Sequence, residues 1–158
     1  MANAQTSKRS GGDLGKLEHR WGKSLIDAGW VAFPSVFLKR QQALGLDELD
    51  VNILLQLADH WWERDNLPFP SKKLLADRIG VTPRTIQRRI ARMESVGFIK
   101  RIERRHPNGG NKTNRYSFDG LIKEAEPFAQ EELKEREKRK REKSERDTRK
   151  GRRHLRAV

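Results

Sequence analysis

The sequence predicts a mainly α-helical protein carrying one small β-hairpin, with a charged helix behind it. Three observations predict it. Apolar residues recur at steps of three and four over residues 46 to 62, and again over residues 86 to 93. Two strand-like runs, residues 98 to 105 and 114 to 118, flank a glycine-containing loop. Residues 131 to 150 are dominated by Glu, Lys and Arg with opposite charges four apart, as in Glu135 with Arg139 and Glu137 with Arg141.

A chain of 158 residues has room for one compact domain plus extensions. Its 35 Lys and Arg outnumber 22 Asp and Glu, for a formal charge of +13, which favours a polyanionic partner over an acidic small substrate. Nucleic acid leads and an anionic membrane trails. The charge is local: residues 72 to 115 hold 13 basic and 3 acidic side chains, residues 30 to 71 hold 3 and 6, and residues 116 to 158 hold 14 and 10. The absence of cysteine excludes a disulfide framework, a thiolate metal site and a Cys nucleophile, and fits a reducing compartment. No segment approaches the roughly 20 apolar residues of a membrane span, and the polar opening lacks the apolar stretch of a secretory signal. A cytoplasmic, nucleoid-associated protein without a membrane partner is expected.

Residues 1 to 15 combine Ser, Gly, Asn and Lys with almost no large apolar side chains, so a disordered arm is expected there. A single domain is expected over residues 16 to 123. Trp30, Val31, Ala32 and Phe33 form a short apolar run closed by Pro34 and read as a brief strand or extended segment. Residues 35 to 43 read as a short helix with Val36, Phe37 and Leu38 inward, ended by Gly45. The helix over residues 46 to 62 is the expected centre of the core, with Trp61 and Trp62 as anchors. Pro68 and Pro70 break the pattern after it.

Residues 71 to 90 read as two helices joined by a tight turn. Ser71 caps the first, Leu74, Leu75 and Ile79 supply its buried face, and Ala76 allows close approach of the second. Gly80 permits a positive φ where the first helix stops. Thr82 caps the second helix and Pro83 occupies its first position, where a missing N–H costs nothing. On that helix Ile86, Ile90 and Met93 make one inward stripe, and at about 100° per residue Arg84, Arg88 and Ser95 point away from it. Thr85, Gln87 and Arg92 flank the outward face. Arg and Gln side chains can bond guanine and adenine edges through two hydrogen bonds each. Arg89, nearer the stripe, reads equally well as a structural ion-pair partner.

The hairpin that follows reads as a wing, with Tyr116 and Phe118 inward and Arg104, Arg105, Lys112 and Arg115 available to phosphates or a minor groove. Leu75 and Ala76, then Gly80, Val81 and Thr82, then residues 84 to 88, Gly97 to Ile99 and Asn114 to Tyr116 together carry a resemblance. From residue 29 to 123, roughly 95 residues, the chain resembles the bacterial winged helix-turn-helix proteins of replication initiators and small regulators of plasmids, phages and integrated elements. The resemblance implies sequence-specific binding of double-stranded DNA, with Arg84, Thr85 and Arg88 in contact and Arg105 and Lys112 assisting. Lys72, Lys73 and Arg92 are expected to fix register on phosphates.

Residues 124 to 158 are expected to be a charged helical tail, kinked or restarted at Pro127, outside the shared pattern. Leu121, Ala125, Phe128 and Leu133 give its beginning an apolar face, so residues 120 to 133 are a candidate homodimer seam. The charged remainder is a candidate dock for a protein partner, and its composition also resembles arginine-rich RNA-binding segments. Arg152, Arg153 and Arg156 would add phosphate contacts. His19, His60, His106 and His154 show no metal-ligand spacing, no phosphate-binding glycine loop is present, and the neighbours Asp59 and His60 lack a nucleophile beside them. No catalysis, cofactor or metal is expected.

Overall fold

A computed structural model describes residues 11 to 155, of which the side chains of Gly11, Gly12, Asn111 and residues 150 to 155 are not described. The chain divides into two units at Ala32 and Phe33. That division falls inside the span of residues 16 to 123.

The first unit holds α1 (Gly11–Trp21) and α2 (Lys23–Ala28). Helix α1 begins inside the segment read as a disordered arm, whose first ten residues lie outside the described ones. Asp13 in its first turn and His19 and Arg20 in its last suit the helix dipole. Lys23 donates to Asp27 at 3.0 Å across one turn of α2. The run from Trp30 to Phe33 has no regular secondary structure.

The second unit holds α3 (Ser35–Lys39), α4 (Glu48–Asp59), α5 (Lys72–Ile79), α6 (Pro83–Ser95), β1 (Lys100–Arg105), β2 (Asn111–Ser117) and α7 (Asp119–Leu155). In α3 only Phe37 is fully buried, with Val36 packed beside it. Leu38, expected inward, is 51% exposed. Asp47 opens α4 through a reciprocal capping box with Asp50, and Val51, Ile53, Leu54 and Leu57 fill the core beneath it. Trp61 stacks on Phe118 with ring centres 5.1 Å apart. Trp62 is 58% exposed and is not the second anchor.

Ser71 caps α5, Gly80 closes it at φ 82°, and the Thr82 hydroxyl accepts from the Thr85 N–H at the start of α6. Leu75 and Ala76 are buried, whereas Leu74 turns outward, since the face of a helix this short spans only two of its three leucine and isoleucine positions. Ile86, Ile90 and Met93 are buried as one stripe, each worth about 1.5–3 kcal/mol of apolar transfer.

β1 and β2 pair antiparallel, with Arg101 opposite Tyr116 and an irregularity between Ile102 and Arg104. The turn between them is shorter than the loop expected, because β2 already begins at Asn111, and His106 N–H donates to Gly110 O across it at 2.9 Å. The Tyr116 N–H donates to Pro68 O, fastening the hairpin to the proline segment ahead of α5. Tyr116 and Phe118 share the buried side. Three helices followed by this hairpin make a winged helix.

α7 starts at Asp119, not at residue 124, and runs unbroken through Pro127. Proline removes the N–H that would bond the Lys123 carbonyl, but both residues are exposed and water can take that acceptor. The first turns of α7 belong to the core through Leu121 and Ala125. Lys39 of α3 and Arg40, its C-cap, hold Glu132 and Glu131 at 2.8 and 3.2 Å. Among the described residues no helix is long and apolar enough to cross a membrane.

Candidate nucleic-acid interface

Helix α6 presents Arg84, Gln87 and Arg88 as exposed side chains opposite its buried stripe, and Thr82 is exposed at its cap. Thr85 is half-buried, its hydroxyl 2.9 Å from that of Thr82. The first turn of α6 is therefore held by its cap while its face stays open. Lys72, at the start of α5, donates to the Gln87 side chain at 3.3 Å, and Lys73 next to it is exposed. Neither Arg84 nor Arg88 forms an ion pair among the described residues, and the same is true of Lys73, Arg105 and Lys112. Unpaired guanidinium and ammonium groups clustered on one segment leave a positive field without internal neutralisation.

The wing is less uniform than expected. Arg105 and Lys112 are exposed near its tip. Arg104 is engaged locally: it donates to the Thr113 carbonyl and hydroxyl at 2.8 and 2.9 Å and lies 4.3 Å from the Phe69 ring centre. Arg115 is half-buried, with its Nε shielded and without a hydrogen-bond partner in the protein. A hollow of about 260 Å³ separates the start of α5 from the wing, and Lys72, Arg104 and Lys112 line it together with Glu103.

Arg92, expected on phosphate, instead donates to Asp50 at 2.8 Å and to the Gly45 carbonyl at 2.9 Å. Arg89 forms ion pairs with Asp47 and Asp50. These four side chains clamp α6 to the start of α4, and they fix the orientation of the outward face. The pairing has a sequence signal: both the acids and the arginines are three residues apart. A second clamp joins Glu94 at the end of α6 to Arg101 of β1, with the Arg101 Nε donating at 2.6 Å.

Burial alone would push the Asp47 carboxyl up, but the Asp50 backbone N–H and the guanidinium groups of Arg89 and Arg92 outweigh it and hold the group below its ordinary 3.8. The Arg101 hydrogen bond likewise holds Glu94 below its ordinary 4.5, against burial. A carboxyl depressed in the folded state binds fewer protons than in the unfolded chain, so its contribution is complete above the ordinary value and is lost as pH falls below it. The urea midpoint is therefore expected to fall between pH 5 and pH 3. Asp47→Asn, which keeps a capping oxygen but not the charge, should flatten that fall. An unchanged slope in the variant would assign the acid sensitivity elsewhere.

Asp59 and His60 gather around Arg78, whose Nη1 lies 3.3 Å from each, and Gln56 lies at the same distance. Burial and the Arg78 charge lower the His60 pKa, while Asp59 pulls it the other way. Among the described residues no three His, Cys, Asp or Glu side chains cluster as metal ligands.

Residues 44–99 match the family model described as a helix-turn-helix domain. That span contains α4, α5 and α6 and ends before the wing. Among solved structures the chain is similar to a possible transcriptional regulator from Methanosarcina mazei Go1, at 17% identity, TM-score 0.41, and 63% of this chain against 80% of that one. It is also similar to the crystal structure of a transcriptional regulator at 22% identity, TM-score 0.39, covering 74% of this chain and 76% of that one. No curated protein matches the sequence.

Proposed function

We propose that the winged helix of this chain binds double-stranded DNA sequence-specifically and acts as a regulator or replication-initiation protein of a bacterial mobile element. The observation that carries the reading is the open face of α6, where Arg84, Gln87 and Arg88 are exposed together next to the capped first turn. A helix enters the major groove with its N-terminal residues on base edges. Arg84, Gln87 and Arg88 are assigned to bases, with Thr82 and Thr85 shaping the turn that presents them. Lys72, Lys73, Arg105 and Lys112 are assigned to phosphates. Arg92 is left out because its donors face Asp50 and Gly45.

Selection from a random duplex library on the full-length protein at physiological salt tests this. Enrichment of an inverted repeat spaced by about one helical turn supports a dimeric transcriptional regulator, and tandem direct repeats support replication initiation. Retention without enrichment would remove sequence specificity, and no retention would remove the reading itself.

A further inference from the structure

We infer that a second copy of this chain docks antiparallel along α7, seating its residues 133 to 141 in the groove between α7 and the loop that follows α4. The groove has a volume of about 1100 Å³, with Trp61, Trp62, Leu67 and Ile122 among its apolar lining. Its remaining lining is acid-rich, with Glu63, Asp65, Asp119 and Glu126 against Arg64 and Lys123. An apolar floor with an acidic rim fits a basic helix that carries an apolar residue.

Helix α7 itself supplies that occupant. Residues 119 to 132 hold 5 acidic side chains and 1 basic, whereas residues 133 to 141 hold 6 basic and 2 acidic. A parallel pair would lay acid on acid and base on base; an antiparallel pair opposes them. Ile122 is 43% exposed and Leu133 57%. At 3.6 residues per turn these two lie on nearly the same line of the helix, within about 20°. In the antiparallel pair Ile122 faces Leu133 of the second copy, and the basic run that follows Leu133 in the second copy extends toward the acidic start of α7. The same contacts recur across the two-fold axis, as a closed dimer requires. Glu131 and Glu132 do not compete, because Arg40 and Lys39 already hold them. The consequence, two recognition helices presented together, rests on the DNA-binding reading; the docking does not.

The chain contains no cysteine, so introduced thiols report the pairing without background. Sedimentation of the full chain is expected to give a dimer. A mixture of Ile122→Cys and Leu133→Cys proteins should form a disulfide-linked dimer under mild oxidation, while neither variant does so alone. Cross-linking of Leu133→Cys by itself would mean a parallel seam and overturn the proposal. So would a wild-type mass that stays monomeric at every concentration, which would leave the groove to another protein. Leu133→Arg, at a largely exposed site, should fold normally and sediment as a monomer. Its affinity for a single half-site should be unchanged, while that for a two-site duplex falls about tenfold or more. Cross-linking without any duplex binding would sink the DNA reading and leave the dimer standing.

Discussion

Arg88→Ala is expected to weaken binding to the selected duplex by about 1–3 kcal/mol, roughly 5- to 150-fold, while leaving affinity for unrelated duplex nearly unchanged. The expectation follows from where the side chain sits. Arg88 is exposed nearly two turns beyond the Thr82 cap of α6, with no ion pair among the described residues, and the buried stripe of Ile86, Ile90 and Met93 fixes the face it occupies. A guanidinium so placed can make two hydrogen bonds to one guanine, and removing it relaxes the preference at that base pair. Lys73→Ala and Arg105→Ala should behave differently. Each removes a charge near phosphate, so affinity should fall to a similar extent on every sequence, and the salt dependence should drop by about one counterion. Titrations of the three variants on selected and scrambled duplexes, at two salt concentrations, separate the cases. An equal loss on both duplexes for Arg88→Ala would reassign Arg88 to phosphate.

The parts of this interface that sequence alone shows are those set by local chemistry. Ser71, Gly80, Thr82 and Pro83 each do a job that only a few residue types can do at a helix end, and all four hold those positions in the structure. The stripe on α6 follows from a periodicity that neighbours reinforce. What local chemistry does not show is how distant segments use the same side chains. Arg92 has the charge of a phosphate contact, and only the approach of Asp50, 42 residues earlier, gives its guanidinium an ion-pair partner within the protein. Arg104 is likewise drawn aside by Thr113 and Phe69. Pro127 breaks an isolated helix by rule, yet α7 is held on the core side by Leu121 and Ala125 and tethered beyond the proline by Glu131 and Glu132, so tertiary contacts override the local penalty. In α1 and α2, glycines and charges interleaved with few apolar residues conceal two helices. Which of the two chain units a helix belongs to is not a local property at all.

Gly120→Ala is expected to destabilise the winged helix by about 3 kcal/mol or more. A Cβ built at Gly120 would collide with the carbonyl oxygen of Gly97 and lie 2.9 Å from its carbonyl carbon. Both obstacles are backbone, and neither side can retreat cheaply. On one side, Gly97 stands at φ 81° in the turn that leaves α6, and its N–H donates to the Glu94 carbonyl. On the other, the Leu121 N–H donates to Phe98 O at 3.0 Å, and the Leu121 side chain is fully buried. Relieving the clash would separate the start of α7 from the turn between α6 and the wing, breaking that hydrogen bond and uncovering Leu121 and Phe98. The same turn sets the angle at which the wing leaves α6, so DNA affinity should fall with stability, on all sequences alike. Gly15, which has open space at its Cβ position and sits inside α1, supplies the contrast. There alanine should stabilise the local helix by up to about 1 kcal/mol. Urea unfolding followed by circular dichroism measures both. A Gly120→Ala midpoint equal to that of the parent would mean that α7 does not approach the turn this closely.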